Sequence, residues 1–270
     1  MEAQSELARA VIAVASGKGG VGKSTISLNL GLALVERGAA VGLFDADFYG
    51  PDIPLMIGLK RTKPLRRWAL WQHRERGEAR LEPVERYGLK VMSVGFLLAE
   101  SQALLWPAQL VDFIGRQLTE EVEWGDLDFL IVDLPPGTAD VQQQLLQRLP
   151  LRGAIVVVGP QEAAHLDARK VLELFQDAGV PVLGGVENMA GLVCPHCGER
   201  VDVFPNTAYE RSIWALGVPK LGSVPLDPAV AAAGDSGRPV LVEGTDGDQA
   251  AALRDVASAL VRRLEEGQGG

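Results

Sequence analysis

The 270-residue chain carries 26 Lys and Arg against 35 Asp and Glu, a net charge of −9, with 47% hydrophobic and 23% charged residues. That balance suits a soluble globular protein with a sizeable core, and it argues against a nucleic-acid coat or a protein spread on an anionic membrane. No apolar run approaches the roughly 20 residues that span a bilayer, the acidic start does not read as a secretory signal, and two cysteines make no disulfide framework, so a cytoplasmic protein is expected.

Residues 9–16 form a short Val-, Ile- and Ala-rich run suited to a buried parallel strand. The next stretch, Gly17-Lys18-Gly19-Gly20-Val21-Gly22-Lys23-Ser24-Thr25, fits the phosphate-loop pattern G-x-x-x-x-G-K-[ST]. Residues 23–37 then place Ile26, Leu30, Ala33 and Leu34 at helical spacing, with Gly38 as a stop. Strand, glycine loop and helix thus come in the order that presents backbone N–H groups and a helix N-terminus to phosphate oxygens. Lys23 is placed to meet the outer phosphates and Ser24 to meet Mg²⁺. Lys18 is not required by the general pattern. A second cation beside the phosphates is useful only against strong negative charge, which suggests a phosphate held elsewhere, for instance by a second subunit. The alternative is a solvated surface lysine.

A second apolar run, 40–44, ends in Asp45-Ala46-Asp47. Carboxylates past the carboxyl end of a strand lie where open α/β sheets bind ligands, ready to contact Mg²⁺ through water or to position an attacking water. The competing reading is an Asp-rich turn. Residues 60–86 carry nine Lys or Arg against four Glu, with Trp68 and Trp71 between them. A solvated hairpin or loop insertion is the favoured reading over a docking patch. A β-type run at 88–94 and a helix at 103–122 follow. The apolar run 127–132 ends in Asp133, ahead of Leu134-Pro135-Pro136-Gly137-Thr138. A strand-end Asp paired with a phosphate loop holds Mg²⁺ by way of water, and Gly137 can approach the γ-phosphate through its N–H.

A strand at 154–158, a helix at 165–178 and a strand at 182–186 lead to Asn188, whose amide offers the donor and acceptor that adenine's edge needs, or simply a turn residue. Cys194-Pro195-His196-Cys197 follows. Tetrathiolate metal sites need four sulfurs, and this chain has two; a redox C-x-x-C belongs at a helix N-terminus, which this loop-rich context lacks. A site shared across a two-fold axis, two thiolates per subunit, remains, beside unliganded thiols and with His196 as a further candidate ligand. Residues 206–216 read as a helix, 220–224 as a strand and 249–264 as a terminal helix. Its stripe of Ala252, Val256, Leu260 and Leu264 favours core packing over membrane targeting, because the other face is mixed in charge. The expectation is one α/β domain, 1–270, a doubly wound and mostly parallel sheet, with a basic insertion at 60–86 and a cysteine loop at 194–197.

Together these motifs resemble one family. The loop 17–25 with Lys18 is similar to the deviant phosphate loop of MinD/ParA-type NTPases. Residues 45–54, 133–138, 187–189 and 194–197 further resemble the Mrp/ApbC iron–sulfur cluster carriers, over about residues 9–240. The resemblance implies a homodimeric ATPase that carries a [4Fe–4S] cluster bridged by two C-x-x-C pairs and delivers it to apoproteins. It implies that Lys18 reaches the nucleotide of the opposite subunit and that Lys23, Ser24 and Thr25 bind phosphates and Mg²⁺. It further implies that Asp47 positions the hydrolytic water, that Asp45 and Asp133 lie near Mg²⁺, and that Asn188 reads adenine. No nucleic-acid or membrane partner is expected. The family's usual Arg-Gly-Pro-Met stretch is replaced here by Leu105-Trp106-Pro107-Ala108. Two alternatives stand beside it: a MinD/ParA-like positioning ATPase, or an ATPase with a structural zinc between subunits.

Overall fold

The computed structural model describes residues 7–59, 81–97, 117, 121–137, 140–194, 196–244 and 247–267. The basic segment up to position 80, with Trp68 and Trp71, lies outside the described residues. So does nearly all of the helix expected at 103–122, although Val122, at its end, forms a parallel bridge with Leu81.

The described elements include nine strands and six α-helices. They are β1 (Ala10–Ala15), α1 (Lys23–Glu36), β2 (Val41–Asp45), α2 (Ile53–Met56), β3 (Val84–Arg86), β4 (Leu89–Ser93), β5 (Phe129–Asp133), α3 (Asp140–Arg148) and β6 (Leu151–Val158). The chain continues through α4 (Glu162–Asp177), β7 (Val182–Val193), β8 (Arg200–Val201), β9 (Lys220–Leu226), α5 (Pro228–Asp235) and α6 (Asp248–Glu266). All nine strands join one sheet in the order β3-β4-β2-β5-β1-β6-β7-β8, with β9 also on β7. Only β3 and β8 run antiparallel to their neighbours. Continuous apolar strands such as β1, buried from Val11 to Ala15, need cover on both faces, which crossover helices supply.

Helix α1 is apolar on nearly every side, with Ile26, Leu28, Leu30, Leu32, Ala33 and Leu34 buried. A helix of that kind must be sandwiched, and α1 lies between the sheet and α6. Each buried Leu or Ile there contributes about 1.5–3 kcal/mol. On α6 the buried stripe is Leu253, Val256, Ala257, Leu260 and Leu264, with Ala252 at its half-buried margin. The bidentate pair Arg254–Glu36, at 2.8 and 3.2 Å, ties its exposed side to α1.

The helix expected at 206–216 is corrected to two separate 3₁₀ turns, Tyr209–Arg211 and Trp214–Leu216. Three claims on the backbone break it. The Ser212 hydroxyl donates to the Tyr209 carbonyl at 2.6 Å. The Arg169 guanidinium donates to the carbonyls of Glu210 and Ser212. The N–H of Ile213 goes to Nδ1 of the buried His165 at 3.2 Å. These side chains take groups that an α-helix would pair internally. With Nδ1 accepting, the His165 proton resides on Nε2, and burial pushes the imidazole pKa down. Strands β6 and β7 run longer than their apolar cores, and α2, α3, α5, β3 and β8 have no counterpart among the expected elements.

Candidate nucleotide and cysteine sites

Strands β2, β5 and β1 lie side by side, and their carboxyl ends present Asp45, Asp133 and the glycine loop to one crevice. Asp45 and Asp133 are register partners across β2 and β5, and Ser93 is the partner of Asp45 across β4. Three polar residues thus stand in a row where three buried apolar strands end.

The loop is shaped by close approaches. Gly22 sits at φ +85°, and a Cβ there would collide with the Asn188 amide. At Gly17 a Cβ would collide with the Asp167–Ala168 backbone of α4. Gly19 and Gly20 are exposed at the crown of the loop, Val21 is buried, and Ser24 and Thr25 open α1 half-buried. The Asn188 amide nitrogen donates to the Val21 carbonyl at 2.9 Å, so β7 braces the loop directly. Gly137, at φ +84°, donates its N–H to the Ser16 carbonyl at 2.9 Å. Lys18 is half-buried and, among the described residues, pairs with no carboxylate.

Lys23 is buried. Its Nζ lies 2.8 Å from Asp133 Oδ2 and 3.7 Å from Asp47 Oδ2. The Ser24 hydroxyl donates to the same Asp133 Oδ2 at 2.7 Å, and the Ser27 hydroxyl donates to Oδ1 at 2.6 Å. Asp45 is fully buried; its Oδ2 accepts from Ser93 at 2.8 Å and its Oδ1 from the Asp47 N–H at 3.2 Å. Burial raises the Asp45 pKa well above the usual carboxylate value, and the neighbouring Asp133 adds to the rise. Burial also raises Asp47, against the pull of Lys23.

Three carboxylates face one lysine in this crevice, with the hydroxyls of Ser24, Ser27 and Ser93 on two of them. That set fits Mg²⁺, which prefers oxygen ligands and takes only one or two from protein beside phosphates and water. Asp133 and Ser24 would hold it, and bound Mg²⁺ would supply charge neutralisation for phosphate oxygens.

Ser27 and Ser93 escaped sequence reasoning, though a signal existed. Ser27 lies one helical turn after Lys23, on the same face, and Ser93 is the polar end of an otherwise apolar strand.

Cys194 and Cys197 are free thiols at the tip of the β7–β8 hairpin. The Cys194 N–H donates to Glu199 O and the Gly198 N–H to Cys194 O, both at 2.9 Å, with Gly198 at φ +75°. The backbone N–H of Cys197, then that of His196, hydrogen-bonds the Cys194 sulfur and lowers its pKa. A turn that aims amides at a sulfur favours thiolate, the form that binds metal. The chain does not complete a metal site here, since among the described residues no three His, Cys, Asp or Glu are grouped to hold an ion. Val193, Val201 and Val203 are exposed around the thiols. No helix among the described residues is long and apolar enough to cross a membrane.

A mostly parallel sheet with this loop at the end of its central strand defines a P-loop NTPase of the MinD/ParA type. The fold matches the cell-division ATPase MinD of Pyrococcus furiosus with a TM-score of 0.70 at 23% identity, over 94% of this chain and 98% of that one. The family model described as ParA, NUBPL iron-transfer P-loop NTPase, matches residues 8–261, and the chain belongs to that family. It is 43% identical to the iron-sulfur cluster carrier protein of Synechocystis sp., over 94% of this chain and 70% of that protein. It is 42% identical to the iron-sulfur cluster transfer protein NUBPL of Mus musculus, over 95% and 78%. A nucleotide-binding protein from Archaeoglobus fulgidus in complex with ADP has a TM-score of 0.73 at 34% identity, over 91% and 92% of the two chains.

Proposed function

We propose that this protein is an Mg²⁺-dependent ATPase, slow in turnover, that carries a [4Fe–4S] cluster between two copies of itself and passes it to apoproteins in the cytoplasm. The observation that carries the proposal is the continuity of β7. Asn188, midway along this strand, braces the phosphate loop, and the strand ends at Val193, the residue before Cys194. Nucleotide and cluster sites therefore share an element within a family of iron-transfer NTPases.

In this reading the N–H groups of residues 17–25 and Lys23 take the phosphates, Ser24 and Asp133 hold Mg²⁺, and Asp47 positions the attacking water. Asp45 stands beside Mg²⁺ and Gly137 responds to the γ-phosphate. Binding requires Lys23 and Ser24 to exchange Asp133 for phosphate and metal, and Gly137 to exchange the Ser16 carbonyl for a phosphate oxygen. Two cysteines per chain make a four-sulfur site only when two copies meet, and the exposed valines beside them support such a contact.

Anaerobic reconstitution with iron and sulfide, followed by absorption and metal analysis, tests the cargo. About four irons per dimer with a visible chromophore are expected, and Cys194→Ala should lose both. About one zinc per dimer with no iron uptake sinks the carrier reading in favour of a structural zinc.

Asn188 makes a separate prediction about the base. Val21 O takes one of the two amide N–H groups; Oδ1 is left to accept from adenine's amino group, which guanine's carbonyl cannot replace. Asn188→Ala should therefore narrow the preference for ATP over GTP by about tenfold in competition binding. A variant that weakens both nucleotides equally counts against base reading and assigns Asn188 to the loop alone.

A further inference from the structure

We propose that Ser27 is a positioning residue that aims the Asp133 carboxylate at Mg²⁺. Ser27 is fully buried on α1, and its one hydroxyl proton has two acceptors within reach. The helix carbonyl of Lys23 lies at 3.0 Å and Asp133 Oδ1 at 2.6 Å. A hydroxyl donating to a carboxylate makes the shorter and stronger bond, so the proton goes to Asp133 and not to the ordinary back-bond within the helix.

The division of labour at Asp133 follows from which oxygen each group holds. Lys23 and Ser24 both lie on Oδ2, at 2.8 and 2.7 Å. Those two are the groups that nucleotide phosphates and Mg²⁺ recruit away. Among the described residues Ser27 alone holds Oδ1, and its side chain is too short and too deep to reach a phosphate instead. When Lys23 and Ser24 leave, the bond from Ser27 stays and keeps the carboxylate from rotating about its last torsion. Oδ2 then points into the crevice at the metal or its water. Without that bond the same carboxylate must be ordered by the metal itself, and that ordering weakens metal binding. Outer partners of metal-binding carboxylates typically change affinity by about 10–100-fold.

The inference rests on the Mg²⁺–nucleotide reading of the crevice but not on the cluster, and the test separates the two. A fluorescent ADP analogue is titrated into the full-length protein in EDTA and across a Mg²⁺ series, with melting curves confirming that each variant is folded. In Ser27→Ala the Mg²⁺ concentration for half-maximal tightening is expected to rise by about tenfold, while affinity in EDTA falls by less than about twofold. Ser27→Cys, similar in size but a poor donor, should resemble Ser27→Ala. An unchanged Mg²⁺ series in folded Ser27→Ala overturns the inference. So does an equal loss with and without Mg²⁺, which marks Ser27 as a packing residue. A wild-type protein whose nucleotide affinity ignores Mg²⁺ overturns the reading of the crevice as well.

Discussion

Lys18→Ala is expected to bind ATP almost as well as the parent protein and to turn it over about 10²–10³-fold more slowly. The two lysines of the loop differ in what surrounds them. Lys23 is buried and already engaged with Asp133 and Asp47 of its own chain. Lys18 is half-buried on the flank of the loop and has no carboxylate partner among the described residues. A cation without a partner in its own chain is free to meet negative charge on another. If it meets the nucleotide of a second copy, its effect appears in hydrolysis and not in the affinity of a single chain. Lys23→Ala, by contrast, removes the principal phosphate ligand and should lose binding itself. Mixing the two variants separates action within a chain from action between chains. A Lys18→Ala subunit keeps a binding-competent loop, and its Lys23→Ala partner still offers Lys18. An equal mixture should thus recover about a quarter of parental turnover, since half the dimers are mixed and each has one complete site. No recovery would reject action across the interface, and undiminished turnover in Lys18→Ala alone would reject any catalytic role.

Much of this arrangement is legible in the chain because its signals are local. The run 9–16, the glycine loop and the helical spacing after it specify strand, turn and helix in consecutive residues, and the structure places them as β1, loop and α1. Asp133 is legible for the same reason, since it caps an apolar strand. The contacts that organise the site are not local. Ser93 meets Asp45 only because β4 and β2 are neighbours in register. The break near Ser212 depends on His165, a residue distant in sequence that takes the Ile213 N–H. A periodic pattern from 206 to 216 cannot show that a buried imidazole will claim one of its donors. Asn188 is an intermediate case. By sequence it falls just past a strand end, whereas it lies inside β7, and its hold on Val21 follows only from the fold.

Asp45 should make the second large effect, and it acts on stability and function in opposite directions. The carboxyl is fully buried, and burial, with Asp133 beside it, raises its pKa well above 3.8. The folded protein therefore holds that proton at pH values where the unfolded chain has released it. Stability is then lost as pH rises from the unfolded pKa through the folded one, so above that window Asp45 is a net cost to the fold. Asp45→Asn keeps the shape: the amide oxygen accepts from the Asp47 N–H, and the NH₂ donates to Ser93 Oγ, reversing the bond that Ser93 now makes. Without nucleotide at pH 7.5, this variant should melt about 2–6 °C above the parent, a gain that shrinks toward zero near pH 4. The same change removes a carboxylate that could ionise beside Mg²⁺ and should slow ATP turnover by about 10²-fold. Sites that gather like charges for a cation commonly trade stability for function in this way. A variant that melts below the parent by the same margin at pH 4.5 and at 7.5 contradicts the account, because the loss would then come from packing and not from charge. A stabilised variant with full turnover would remove Asp45 from the metal's surroundings and leave Asp133 and Ser24 to hold Mg²⁺ alone.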